Sequence, residues 1–217
     1  MSEYSIINVK KALYDHCTKE QADQVSKFLD SIMEELNSAP ASSKVAFHEA
    51  YPGGLIDHII RFINVGLSLN KDGIVDNGSL VRVAILHDIH KCRDAAKNPY
   101  YVPNILKSGK QSDAIPYSCN EKYANYLADV EPDDSLQIKE LCYLSQFDKY
   151  TGGQRSLALI YAMDKALYDT LTPDETQAII YHDGGYGTSK YELGGKESKL
   201  QIICHAADML SSREGRV

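Results

Sequence analysis

Paired cysteines are missing from this chain. Cys17, Cys92, Cys119, Cys142 and Cys204 are scattered, odd in number and never spaced as CxxC. That pattern argues against a disulfide framework and against a thiolate zinc site. Long apolar runs are missing too: nothing approaches the roughly 18 residues that would suggest a membrane-spanning helix. The opening Met1-Ser2-Glu3-Tyr4 lacks the basic-then-apolar pattern of a signal peptide. The expectation is a cytoplasmic protein with no membrane partner. Basic charge is in short supply, with 23 Lys and Arg against 30 Asp and Glu and a net charge of −7. Broad binding to a nucleic-acid backbone needs a basic surface, so nucleic acid is not an expected partner. A local basic pocket for one small anion is still compatible with that balance. No internal repeat shows, and no alternating apolar–polar strand pattern recurs.

What is present reads as helix. The 217 residues suit one domain with at most a small appendage, long enough for a substantial core. Val9 to Cys17 is a short helix. Glu20 to Leu36 carries Ala22, Val25, Phe28, Leu29, Ile32, Met33 and Leu36 at spacings of three and four, an amphipathic stripe. The polar run Asn37 to Ser43 ends it. After the turn Tyr51-Pro52-Gly53-Gly54, a helix is expected from Leu55 to about Leu69, burying Ile59, Phe62, Ile63 and Gly66. Ser79 is the expected N-cap of a helix carrying His87 and Asp88. Residues 93 to 118 hold Pro99, Pro103, Gly109 and Pro116 and read as irregular, the kind of long loop that serves as a lid or substrate wall. Helices are expected again over Glu121–Val130, Asp134–Phe147, Gln154–Leu171, Pro173–Tyr181 and Glu197–Ser212. Thr172 with Glu175 forms a capping-box start for the fourth of these. The expected class is all-α, with residues 1–38 as a helical N-terminal extension packed on the core.

Four residues in this frame have the chemistry of metal ligands: His58, His87, Asp88 and Asp208. They fall on three separate expected helices, each beside an apolar face. His87 and Asp88 are neighbours, so their side chains point about 100° apart on a helix, and one ion between those directions can take both. A carboxylate such as Asp208 in an apolar helix needs a partner. Imidazole with carboxylate suits Mn, Fe, Co or Zn, whereas Mg prefers oxygen alone. Such an ion can polarise a phosphoryl oxygen and bring the pKa of water toward neutrality, as phosphate-ester hydrolysis requires. His182 closes a helix before a glycine-rich loop, placed to bind phosphate or protonate a leaving group. His205, three residues before Asp208, shares its helix face and suits a bond that orients a ligand. His90 and His16 read as surface residues. His48, and the loop residues Tyr186, Lys190 and Lys196, are candidates for substrate contact.

The order of histidine, His-Asp doublet and distant aspartate resembles the HD-domain phosphohydrolases, particularly bacterial and phage members. The segments that carry the resemblance are Ala39-Pro40-Ala41, then His48-Glu49-Ala50-Tyr51-Pro52-Gly53-Gly54-Leu55 with His58, then His87-Asp88-Ile89-His90-Lys91. Further on come Leu171 to Glu175 with Ala178 to Gly185, and Leu200 to Leu210 with His205-Ala206-Ala207-Asp208. The resemblance implies an HD-domain helical bundle over residues 39–217, with His58, His87, Asp88 and Asp208 as metal ligands. It also implies that Lys91 contacts phosphate. Two departures stand out. His90 occupies a position where glycine is common, and Tyr117 to Lys122 lacks the histidine that a related branch carries, which points to one ion rather than two.

The resulting expectation is a metal-dependent phosphohydrolase acting on a small phosphorylated metabolite, with a nucleotide or deoxynucleotide as the leading class. Asp88 is the general-base candidate, and Lys91 and His182 help hold or neutralise the phosphate. Three alternatives stay open: a phosphodiesterase on cyclic nucleotides or nucleic-acid ends, an oxygen-dependent di-metal enzyme, and a non-catalytic nucleotide-binding regulatory domain. A homo-oligomer is also open.

Overall fold

The protein's structure, a computed structural model, describes residues 4–120, 123, 151–184 and 193–213. Nine α-helices and one two-stranded sheet make up these residues. The helices expected at Glu121–Val130, apart from Tyr123, and at Asp134–Phe147 lie outside them, as do Tyr186 and Lys190.

The first helix, α1 (Ile6–His16), starts at a capping box between Ser5 and Asn8. A second box, Thr18 with Gln21, starts α2 (Lys19–Asp30). One helix is expected over Glu20–Leu36, but the chain breaks and resumes as α3 (Met33–Ser38). Ser31 Oγ donates to Phe28 O at 2.6 Å, and Ile32 leaves helical geometry at φ −128°. A serine hydroxyl bonded to a nearby carbonyl competes with the helix ladder. The apolar spacing survives the break, because Ile32 and Leu36 are both fully buried.

The central element is α4 (Gly54–Leu69), which packs against α1, α3, α5 and the last helix. Next, α5 (Asn77–Leu86) is capped by Asp76, which accepts from Ser79 N–H at 2.7 Å, so Ser79 is not the cap. The helix stops at Leu86. His87 keeps helical angles as its C-cap, while Asp88 (φ −114°, ψ 14°) lies beyond it and leads into a 3-10 turn at Ile89–Lys91. The expected helix carrying both doublet residues is therefore one doublet too long. A small hairpin follows: β1 (Tyr101–Pro103) pairs antiparallel with β2 (Tyr117–Cys119), a feature absent from the all-α expectation. Cys119 is disulfide-bonded, a bridge that the cysteine spacing does not suggest. Cys17, Cys92 and Cys204 are free.

The expected helix from Gln154 to Leu171 is two helices, α6 (Gly152–Met163) and α7 (Lys165–Tyr168). Asp164 separates them with φ −147° and caps the second by accepting from Leu167 N–H at 2.9 Å. Thr172 and Glu175 form the capping box of α8 (Pro173–Ile180), and Ser198 caps α9 (Lys199–Ser211). A single apolar core runs from Val9 and Leu13 of α1 through Phe62, Leu86 and Ile179 to Cys204 and Ala207 of α9. Within it, Arg82 of α5 meets Glu175 of α8 at 3.4 Å and donates to Thr170 Oγ1 at 2.9 Å. No helix among the described residues is long and apolar enough to cross a membrane.

Candidate metal centre

Four helix segments deliver their polar side chains to one place. His58 stands just after the start of α4 and is fully buried. Its Nε2 lies 3.2 Å from His87 Nε2 and 3.0 Å from Asp208 Oδ1 of α9. Phe62, one turn further along α4, has its ring centroid 6.4 Å from that of His58 and 4.9 Å from that of His87, forming an apolar wall. Glycine at position 54 is required for this packing. A Cβ there would fall 2.1 Å from the carbonyl oxygen of Glu49.

The end of α5 orients His87. Its Nδ1 faces Ala84 O at 2.9 Å. Carbonyls near a helix C-terminus lack backbone donors, and a carbonyl only accepts, so Nδ1 carries the proton and Nε2 presents a lone pair. The end of α8 repeats the arrangement. His182 Nδ1 faces Ile179 O at 2.8 Å, and Nε2 lies 3.7 Å from Asp88 Oδ1. His205 Nδ1 faces His182 O at 2.8 Å and so braces the turn that carries His182. Asp88 sits between these groups. Its Oδ2 accepts from Lys91 Nζ at 2.6 Å and lies 3.4 Å from His87 Nε2. The donor atoms of His58, His87 and Asp208 lie within 4.8 Å of one another, as do those of His87, Asp88 and His182, and those of His182, Asp183 and Asp208.

Charge in the cluster follows from these contacts. Burial pushes the Asp88 carboxyl up, but Lys91, His87 and His182 outweigh it and hold the group well below the usual carboxylate range. Asp208 is likewise lowered against burial by His58, His87 and His182. Burial lowers His87, which keeps its ring neutral. Burial also works against a charged His182, yet Asp183, Asp88 and Asp208 together raise it to about 9. Burial opposes the charge on Lys91 as well, and Asp88 overrides it. Ionised carboxylates beside imidazole nitrogens are the donor set a borderline divalent cation takes, so the residues present fit such an ion.

Other residues fall in varied places. Lys91 Nζ also donates to Ala41 O at 2.7 Å, which ties the doublet turn to the chain before α4. His48 is half-buried, with its ring 5.0 Å from that of His58. An open pocket of about 530 Å³ reaches the cluster past Phe47, His48, Asp183, His205, Asp208 and Arg213. Lys196 is exposed, and its carbonyl accepts from Gln177 Nε2 at 2.9 Å, an engagement outside the cluster. His90 is not a surface residue. It is 2 % exposed, with Nδ1 3.0 Å from Ser156 Oγ and its ring edge-on to Tyr100. Ser156 Oγ donates in turn to His87 O at 2.6 Å. Sequence reasoning also passed over Asp183, whose Oδ2 is 3.5 Å from His182 Nε2. The signal was available, because His182-Asp183 is a second His-Asp pair. Glu49, buried beside His48, had no such signal. Compared with protein-family models, curated proteins and solved structures, the chain finds no match.

Proposed function

We propose that this chain is a metal-dependent phosphohydrolase of the HD-domain kind, cleaving the phosphate ester of a small phosphorylated metabolite. A nucleotide or deoxynucleotide is the leading substrate class, on the strength of the motif resemblance. The observation that carries the reading is the convergence of His58, His87, Asp88 and Asp208, from segments far apart in sequence, with inward-turned imidazole nitrogens beside ionised carboxylates. These four residues would hold a divalent ion. Such an ion supplies Lewis-acid polarisation and acidifies water. Asp88, with Oδ1 turned to His182 and away from Lys91, is the acceptor for a proton leaving water. Lys91 stays charged next to it and offsets negative charge. His182 donates or holds a proton on the same side, and the pocket past His48 and Arg213 admits the phosphate.

The test is phosphate release from a panel of nucleoside mono-, di- and triphosphates and cyclic nucleotides, with manganese or cobalt added. Asp88→Ala is expected to abolish release. Equal release from the wild type and the variant would sink the proposal. Nucleotide binding with no turnover under any metal would favour a regulatory domain.

A second reading has its own observation. The donor triplet of His182, Asp183 and Asp208 adjoins the first and shares Asp208 with it, so these side chains offer donors for a second ion, as an oxygen-dependent di-metal enzyme needs. Metal analysis giving one ion per chain argues against that reading.

A further inference from the structure

The imidazoles of the cluster are not all held alike. His87, His182 and His205 each direct Nδ1 at a backbone carbonyl, at 2.9, 2.8 and 2.8 Å. His58 does not. Its Nε2 faces His87 and Asp208, while its Nδ1 is buried with no hydrogen-bond partner. A buried polar atom left unpaired costs ~1–3 kcal/mol. In the metal-free chain Asp208 Oδ1, at 3.0 Å, favours the ring proton on Nε2, and a partner at Nδ1 is what would turn the Nε2 lone pair to a metal instead. The neighbour with a matching need is Glu49. Its Oε1 takes the Arg61 guanidinium, and its Oε2 is buried with no partner. His48, Glu49 and His58 each bring a donor atom to within 4.8 Å of the other two.

The chain goes to some length to keep this carboxylate inside. Glu49 is 7 % exposed. Its backbone sits at φ 37°, a region that favours glycine and costs a glutamate about 1–3 kcal/mol. Two N–H groups, from Ala41 and Tyr51, bond its carbonyl at 3.1 and 2.9 Å, and that same carbonyl occupies the space that glycine leaves at position 54. Strain of this kind persists where the surroundings over-determine it, and it gathers at functional sites.

We infer that Glu49 is the positioning residue of His58: its free carboxylate oxygen accepts a hydrogen bond from Nδ1–H, which commits the Nε2 lone pair to the metal position. This rests on the reading of His58 as a ligand. Arg61 lies one helical turn beyond His58 on α4. By occupying Oε1, it leaves Oε2 for the imidazole. A carboxylate behind a ligating imidazole fixes the ring and raises its basicity, and removing such a partner weakens metal binding about 10–100-fold.

The experiment uses the full chain stripped of metal and titrated with Co(II), read by visible absorption and calorimetry. Thermal melts of each variant check folding. Glu49→Gln is expected to bind Co(II) about 10–100-fold more weakly than wild type. Arg61→Met, which removes the ion pair and keeps the carboxylate, is expected to lose far less. Nitrogen NMR of the Zn(II)-loaded wild type, with the His58 ring assigned by its loss in His58→Ala, is expected to show a proton on Nδ1 in a strong hydrogen bond. That spectrum decides the matter even if Glu49→Gln does not fold. Equal losses in Glu49→Gln and Arg61→Met reduce Glu49 to half of a structural ion pair and overturn the inference, as does a His58 ring protonated at Nε2. A wild-type chain that takes up no Co(II) overturns the ligand reading beneath it as well.

Discussion

His182 is the residue where protonation and metal binding compete most directly. Burial works against its charge, but Asp183, Asp88 and Asp208 raise it to about 9, above the 6.5 of an ordinary histidine. In the metal-free chain its favourable contribution to stability is therefore complete below about pH 6.5 and disappears as the pH rises through about 9. A divalent ion held by His58, His87, Asp88 and Asp208 brings positive charge beside that ring and opposes its proton. Metal loading at pH 7 is then expected to release a proton, visible as a dependence of the binding heat on the ionisation enthalpy of the buffer. A heat independent of buffer would show that His182 keeps its proton when the ion is bound. In turnover, His182→Ala is expected to lose about 10²–10⁴ in rate, the range for a lost general acid or base, with metal content retained. Unchanged turnover would leave His182 as a structural residue.

Among the elements, α6 is placed by its first two residues. A Cβ on Gly153 would fall 1.8 Å from Ile179 O, and one on Gly152 would fall 2.9 Å from His90 Cε1. The two glycines let α6 press against both the doublet turn and the end of α8. That brings Ser156 to the His87 carbonyl and lets Thr151 Oγ1 donate to Ile180 O at 3.2 Å. Because the obstacle at Gly153 is backbone, Gly153→Ala is expected to destabilise the fold by about 3 kcal/mol, the upper end for overpacking. The affected carbonyl is the one that holds His182, so Co(II) affinity is expected to fall with it. Gly73→Ala serves as the comparison: it forces alanine into positive φ, which Gly153→Ala does not, but its Cβ meets nothing within 4 Å. Chemical denaturation of both variants gives the ranking, and a Gly153→Ala chain no less stable than Gly73→Ala would contradict the packing argument.

At the scale of the molecule, the candidate centre exists only if α4, α5, α8 and α9 keep their mutual places. The Arg82–Glu175 pair fastens α5 to α8 inside the core, and both side chains are essentially inaccessible. Removing one partner of such a pair leaves an uncompensated buried charge and costs about 3–5 kcal/mol. Glu175→Gln is expected to lower stability by that amount in urea melts. The double change Arg82→Met with Glu175→Leu is expected to recover much of it, since apolar packing can replace a buried pair. A double variant as unstable as Glu175→Gln would show that shape, not charge, governs the contact.

Local chemistry made several features legible from the chain itself. Threonine followed three residues on by glutamine or glutamate starts α2, α6 and α8, because a capping box needs only residues within one turn of each other. The stripe of α4 and the polarity of His58, His87, Asp88 and Asp208 were equally open to reading, since periodicity reports a helix face and residue type reports donor chemistry. What depends on distant neighbours was not. The apolar run into Leu86 does not say where α5 stops, and the stop is what separates Asp88 from the helix. Nothing near His90 in sequence says that Ser156 and Tyr100 will bury it. Nor does anything local to Glu49 announce a fully buried imidazole with an open nitrogen. The sequence by itself determined the helical character of the chain and a set of polar residues able to bind metal. Only the tertiary structure decided which of them meet, because burial and hydrogen-bond partnership belong to pairs of groups brought together across the fold.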